Sequence, residues 1–249
     1  MNREFSTISS INLNDKSSWQ DTCFITLDID WCHDDVLADS INLLEEADVS
    51  ATWFVTHETK NLNRLRTNHK FELGIHPNFN FLLNGEASKS KNSKNVLEEI
   101  CKIVPEAKSV RSHSLTQNSY LLDLFAEQKI THDVNDFIPF HADIEVSPWV
   151  LWNGMYRVPF NWEDDFQIMY SKININQKSP NEIAADLNFK GLKIFNFHPI
   201  HVYLNTESLE RYERTRPIHN KPKELKMHRY EGYGTRNKLI ELINDQKKN

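Results

Sequence analysis

The stretch 24–35, FITLDIDWCHDD, restricts the possible folds of this chain more than any other. Four residues of strand-forming type, Phe24, Ile25, Thr26 and Leu27, run directly into two carboxylates one residue apart, Asp28 and Asp30. Apolar runs bounded by polar clusters read as buried strands. Acid concentrated where such a strand stops is the pattern of a site at the carboxyl end of a parallel sheet. Two carboxylates so close raise each other's pKa unless a cation compensates. The loop is therefore either a solvated acidic turn or the seat of something positive.

The same pattern recurs along the chain. Strands are expected at 51–56, 71–76, 109–111 and 192–197, dense in β-branched and aromatic residues. Helical periodicity separates them. Val36, Leu37, Ile41, Leu44 and Ala47 follow an Asp34 or Asp35 cap, and further helices are expected at 95–104, 119–128, near 180–188 and at 235–243. The stretches 61–68 and 84–95 read as polar surface segments, 131–161 as irregular, and 1–20 as a loose arm. Alternating strands and helices imply a parallel sheet with crossover helices. At 249 residues the chain fits one α/β barrel domain.

Composition removes several classes. A net charge of −6 argues against general nucleic-acid binding. No apolar run approaches the roughly 20 residues that span a bilayer. The first fifteen residues lack the apolar core of a secretory signal, so a cytoplasmic location is expected. Three cysteines without a CxxC pair are expected to be reduced. Cys32 lies in the acidic loop, and a catalytic role for its thiol is not the expected reading. With six glycines and no phosphate-loop pattern, nucleotide cradles are excluded.

Titratable residues close these strands: Asp28 and Asp30, then His57 and Glu58, His76, Arg111 and His113, and finally His198 and His201. In a parallel α/β fold all strand carboxyl ends open on one face, so these side chains should converge. A lone histidine after a strand is usually structural. Several at one end of a sheet, with an acid pair, describe a metal or acid–base site.

The order of motifs resembles the NodB-type polysaccharide deacetylases, carbohydrate esterase family 4 and its relatives, over about residues 22–205. TLDID resembles the first family motif, with Ile29 inserted between the acids, and DVSATWFV at 48–55 is similar to the strand that follows it. ELGIHPNFN, VRSHSL, YRVPFNWEDD and FNFHPIH resemble the second to fifth motifs in order. The resemblance implies a distorted, incomplete (β/α) barrel of about seven strands and removal of an N-acetyl group from a sugar by a metal-dependent hydrolase. It casts Asp28 as catalytic base, Arg111 as the base's partner and His198 as general acid. Asp30 and His76 become ligands of one divalent ion, zinc being the expected one. The family's second metal histidine falls at position 80, which here is Asn80, a poor transition-metal ligand. His113 is the expected substitute, with His33 as runner-up.

Trp31, Asn80, Trp162, Asp164 and His201 are expected to contact substrate, His201 also being the alternative acid. The stretch 163–165 equally reads as a solvated turn, Trp149 and Trp152 as packing, and His69, His132 and His228 as structural. The implied partner is an acetylated sugar, free or carried on a nucleotide or lipid. The implied organisation is an arm at 1–20, a catalytic domain at 21–205 and a peripheral extension at 206–249, whose basic stretch 219–229 reads as solvated surface. Two rivals remain at this stage: hydrolysis of a non-sugar cyclic amide, and glycan binding without turnover.

Overall fold

The structure, a computed structural model, describes residues 4–86, 88, 92–170 and 188–245. The strands are β1 (Glu4–Ser6), β2 (Thr22–Asp28), β3 (Ala51–Val55), β4 (Phe71–Ile75), β5 (Ser109–Val110), β6 (His132–Asp133), β7 (Trp149–Val150), β8 (Tyr156–Arg157), β9 (Trp162–Glu163) and β10 (Ile194–Phe197). They form one sheet in the order β7-β8-β6-β5-β4-β3-β2-β10-β9, with β1 also on β2. Every pair is parallel except β7 with β8. Among the described residues no pairing joins β7 to β9. The curled sheet is therefore an open, incomplete barrel, as expected, with ten strands rather than about seven. The extra strands come from two- and three-residue segments too short to leave a periodic signal, several within the stretch read as irregular.

Strand alternation sorts the core into two layers. Ile25, Leu27 and Ile29 on β2 and its end face outward, packing in one cluster with Leu37, Ile41 and Leu44 of the helix Asp34–Ala47. Phe24 faces inward and joins Phe54, Val158, Phe160 and Ile194 in a second cluster. Ile8, Ile11 and Trp19 belong to that inner cluster, and the Ile8 amide donates to Thr52 Oγ1 (2.9 Å). The N-terminal residues are thus not a loose arm: β1 pairs with β2 and the apolar residues after it help to fill the barrel interior.

Helices follow most strands. His33, not an aspartate, caps Asp34–Ala47, its Nδ1 accepting from the Asp35 amide (3.1 Å). Asn92 and Asn118 cap Ser93–Ile103 and Ser119–Glu127. The polar stretch after residue 61 contains the helix Leu62–Thr67, and the chain's last helix is Thr235–Asp245. Residues 180–187 of the helix expected near 180–188 lie outside the described residues. No helix among the described residues is long and apolar enough to cross a membrane.

Gly74 on β4 tests the inner packing. A Cβ there would sit 2.6 Å from Ser109 Oγ and 2.7 Å from the Phe54 ring. Gly74→Ala is expected to destabilise by about 1–3 kcal/mol, the usual cost of overpacking. A thermal unfolding midpoint lower by about 2–4 °C per kcal/mol would show it, and an unchanged midpoint would refute it.

Candidate active site

β2 delivers Asp28 to the carboxyl end of the sheet, almost fully buried, on the same inward face as Thr26. The chain then turns sharply. Ile29 enters the outer core, and Asp30 (φ +36°) and Trp31 (φ +52°) take left-handed conformations that few side chains adopt. The turn is held where the Ile29 amide donates to Phe54 O (3.2 Å) and the Trp31 amide to Thr56 Oγ1 (3.2 Å). Asp30 consequently swings back over the strand ends, so the inserted Ile29 does not carry it away from the other site residues.

Asp30 Oδ1 lies 3.2 Å from His76 Nε2 and 3.4 Å from His113 Nδ1, and the two nitrogens are 3.3 Å apart. The carboxylate oxygen is buried and, despite these distances, has no hydrogen bond of acceptable alignment. A tetrahedral ion with bonds of about 2.0–2.1 Å has ligand–ligand edges of about 3.3–3.4 Å. The three atoms therefore have the size and shape of one face of such a ligand set. Burial raises the Asp30 pKa, but the His113 and His76 nitrogens outweigh it and hold the carboxyl well below its usual range. His113 is pushed up by Asp30 against its own partial burial.

Arg111 is fully buried between two aromatic faces, Phe54 (4.6 Å) and Phe160 (4.4 Å). Its Nη1 reaches Asp28 Oδ1 (3.0 Å), Thr26 Oγ1 (3.0 Å) and Asn196 Oδ1 (2.5 Å), and its Nε reaches Val134 O (3.3 Å). Asn196 on β10 completes the cage. Its Nδ2 donates to Asp28 Oδ2 (2.9 Å) and to Glu163 Oε1 (3.1 Å). Both Asp28 oxygens thus have buried donors. Burial, with the Asp28 and Asp165 charges adding, pushes Glu163 up to about 7 against the pull of His198.

His198 follows β10. Asp164 clamps it twice, accepting from the His198 backbone amide (2.7 Å) and from Nδ1 (2.6 Å). Nε2 is left facing the acids, 3.9 Å from Asp28 Oδ2, 3.7 Å from Asp30 Oδ2 and 4.0 Å from Asp165 Oδ2. Burial opposes a charge on this ring, but Asp164 and Asp165 prevail and hold its pKa well above the usual value. Beside it, His201 Nε2 donates to Asp165 Oδ1 (2.6 Å) and Nδ1 pairs with Thr206 Oγ1 (3.1 Å).

A cleft of about 680 Å³ opens above these groups. Asp30, His113, Asp165 and His198 form its floor. Its walls include Trp31 and, from beyond residue 206, Tyr212, Arg216, His219 and Asn220. The rings of His198, His201, Tyr212 and His219 follow one another up one wall, with centroids 5.9, 4.8 and 5.0 Å apart. The segment expected to be peripheral thus supplies much of the rim, including His219 from the stretch read as solvated surface.

Several expected contacts need correction. Trp162 is buried against Phe195 and Phe197 on the outward face, because alternation along β9 sends Glu163 inward and Trp162 the other way. Asp164 has both oxygens on His198 and none free for substrate. Asn80 does not line the cleft. Its amide donates to Ser114 Oγ (3.2 Å) and accepts from Thr116 Oγ1 (3.4 Å), bracing the turn that presents His113. Trp31 and His201 do line the cleft, and so does His33, whose Nδ1 is engaged as a helix cap. The Cys32 thiol is pushed up by burial and by the Asp30 and Asp34 charges, which makes it a poor nucleophile. Asn196 and Tyr212 were missed, and Glu163 reads from sequence as either a solvated turn or a pocket wall; the sole sequence signal for Asn196 is an amide inside the apolar run IFNF.

The sequence model of the WbmS-like polysaccharide deacetylases matches residues 25–216. A crystal structure from Bordetella bronchiseptica, of a protein assigned as a polysaccharide deacetylase involved in O-antigen biosynthesis, is 41% identical over 98% of each chain, with a TM-score of 0.90. Two more distant structures, each 12% identical, are a 4-α-glucanotransferase from Thermococcus litoralis and a CE4-family pseudoenzyme from Bacillus anthracis. The first has a TM-score of 0.48 over 80% of this chain and 36% of its own. The second has 0.43 over 86% and 62%. A search of curated proteins gave no match.

Proposed function

The chain belongs to the WbmS-like polysaccharide deacetylase family, and from that premise we propose that it is a metal-dependent hydrolase that removes an N-acetyl group from a sugar. The observation that carries the reading is that Asp28 and His198 both stand beside the Asp30–His76–His113 face. A carboxylate and an imidazole, 3.9 Å apart at their nearest atoms, adjoin that set of converging donors, 3.7 Å from His76 and from Asp30 respectively. Amide hydrolysis needs a base for water and an acid for the departing nitrogen, and these two groups are positioned for those tasks.

Asp30, His76 and His113 would hold the ion, for which zinc suits the N,N,O donor set and its spacing. Such an ion polarises an acyl carbonyl and lowers the pKa of bound water. Asp28 takes the proton of the attacking water. Arg111 and Asn196 keep its two oxygens fixed, so its carboxylate does not reorganise as the proton arrives. His198, held in one orientation by Asp164, delivers a proton from Nε2 to the nitrogen. Trp31 and Tyr212 offer apolar ring surface at the cleft, suited to the face of a sugar.

The O-antigen assignment of the Bordetella relative supports a glycan precursor as substrate; a nucleotide or lipid carrier and a cytoplasmic encounter are part of the same proposal. Binding without turnover gained its force from Asn80. The close approach of His113 to Asp30 and His76 favours turnover instead. Incubating the metal-loaded protein with N-acetylated sugars and sugar nucleotides is expected to release acetate and a free amine from at least one of them. Bound glycan with no acetate released would favour the binding-only reading.

A further inference from the structure

Asp165 has no part in the chemistry above, yet it is the more carefully positioned of the two carboxylates open to the cleft. Its Oδ1 is fixed by His201, itself almost wholly buried and held from behind by Thr206. The His201 ring is wedged between His198 and Tyr212. Oδ2 remains at the cleft, 4.0 Å from His198 Nε2, the atom that faces the departing group. A buried histidine ordering one carboxylate beside another's acid is more than solvation of a surface acid requires.

Resting on the deacetylase reading, we propose that Asp165 binds the positive charge that develops on the departing nitrogen, and so makes the site selective for amides over esters. Water adds its oxygen to the acyl carbon and gives a proton to Asp28. His198 Nε2 then gives its proton to the nitrogen while that atom is still bonded to carbon, so the nitrogen becomes cationic. The C–N bond breaks with its electron pair passing to nitrogen, leaving a carboxylic acid and an amine. At neutral pH these are a carboxylate and an ammonium ion. An ester oxygen protonated in the same step departs as a neutral hydroxyl and presents no lasting cation. A fixed carboxylate next to His198 Nε2 therefore favours the amide path and the ammonium product, and does little for the ester.

The test compares an N-acetylated sugar from the panel with the O-acetylated form of the same sugar. Asp165→Asn keeps the size of the side chain and removes its charge. It is expected to lower kcat on the amide relative to the ester by roughly ten- to a hundredfold, the worth of one charge-assisted hydrogen bond. The free amino sugar should also bind the variant at least about tenfold more weakly in calorimetric titration, a readout independent of turnover. His201→Gln, which leaves the charge but frees it, should shift the amide-to-ester ratio in the same direction by less, and it serves if Asp165→Asn does not fold. Equal loss on both substrates, or no loss on either, with unchanged amino-sugar binding, would overturn the proposal and leave the deacetylase reading intact. Failure of the wild type to release acetate from either substrate would overturn both.

Discussion

Asp28→Asn and His198→Ala are each expected to lower kcat by at least about a hundredfold while stoichiometric metal stays bound. Neither side chain belongs to the Asp30–His76–His113 face, although both belong to a second close group with Glu163, so unchanged metal content in the two variants is also the check that the ion sits on the first face. Asn at position 28 keeps the size of the side chain but can accept from only one of the two donors, Arg111 or Asn196, and cannot take a proton from water. Ala at position 198 removes an imidazole whose Nε2 faces both Asp28 and Asp30, and it takes the Nδ1 donor from Asp164 Oδ1, while the backbone amide of residue 198 still reaches Asp164 Oδ2. Base and acid serve one sequence of proton transfers, so the double variant should be little slower than the worse single one. Steady-state acetate release with parallel metal analysis makes the measurement. His201→Ala gives the contrast. Were it to abolish turnover while His198→Ala did not, the acid would be His201, and the Asp164 clamp on His198 would need another explanation.

Loss of His113 should be as severe, by another route. His113→Ala is expected to lower metal affinity by more than the roughly 10- to 100-fold that removal of an outer-shell partner costs, because it deletes a donor itself. Elemental analysis of untagged protein should find the ion absent from the variant, with acetate release falling in proportion. Asn80→Ala, which only unbraces the Ser114–Thr116 turn, should keep most of the metal and lose affinity modestly. Full metal content in His113→Ala would show that the 3.3 Å approach of His76 and His113 is a ring-to-ring hydrogen bond and not half of a binding site.

Asp28, His76, Arg111 and His198 were legible because each ends or follows an apolar run, and a parallel sheet brings all such ends to one face. Asp30 needed one fact that spacing does not contain, the pair of left-handed residues that turn it back after Ile29. His113 could be named as the substitute for position 80, but not that Asn80 would brace its turn. What escaped depends on which strands neighbour each other. Asp164 reads as a substrate contact or as part of an acidic turn until β9 is seen to lie beside β10, which puts it under His198. Asn196 is one amide among aromatics, and only the inward face shared with Asp28 and Arg111 gives it a purpose. Trp162 was misplaced for the opposite reason. A tryptophan next to acids suggests a pocket wall, while alternation on a two-residue strand sends it to the far side of the sheet. The rim from Tyr212 to Asn220 lies on short helices broken by Pro217, with no periodicity to mark it.

That rim has a consequence for how such an enzyme can change its diet. The groups that would break the bond sit on β2, β10 and the ends of β4 and β5, locked to one another by buried hydrogen bonds, and almost any alteration there is damaging. Tyr212, Arg216, His219 and Asn220 sit on a later excursion of the chain, which meets the reactive floor mainly through ring contacts. Taste and teeth are thus carried by different stretches of one polypeptide. Exchanging residues 208–221 between members of the fold is accordingly the shortest route to a new sugar preference with the old chemistry left running beneath it.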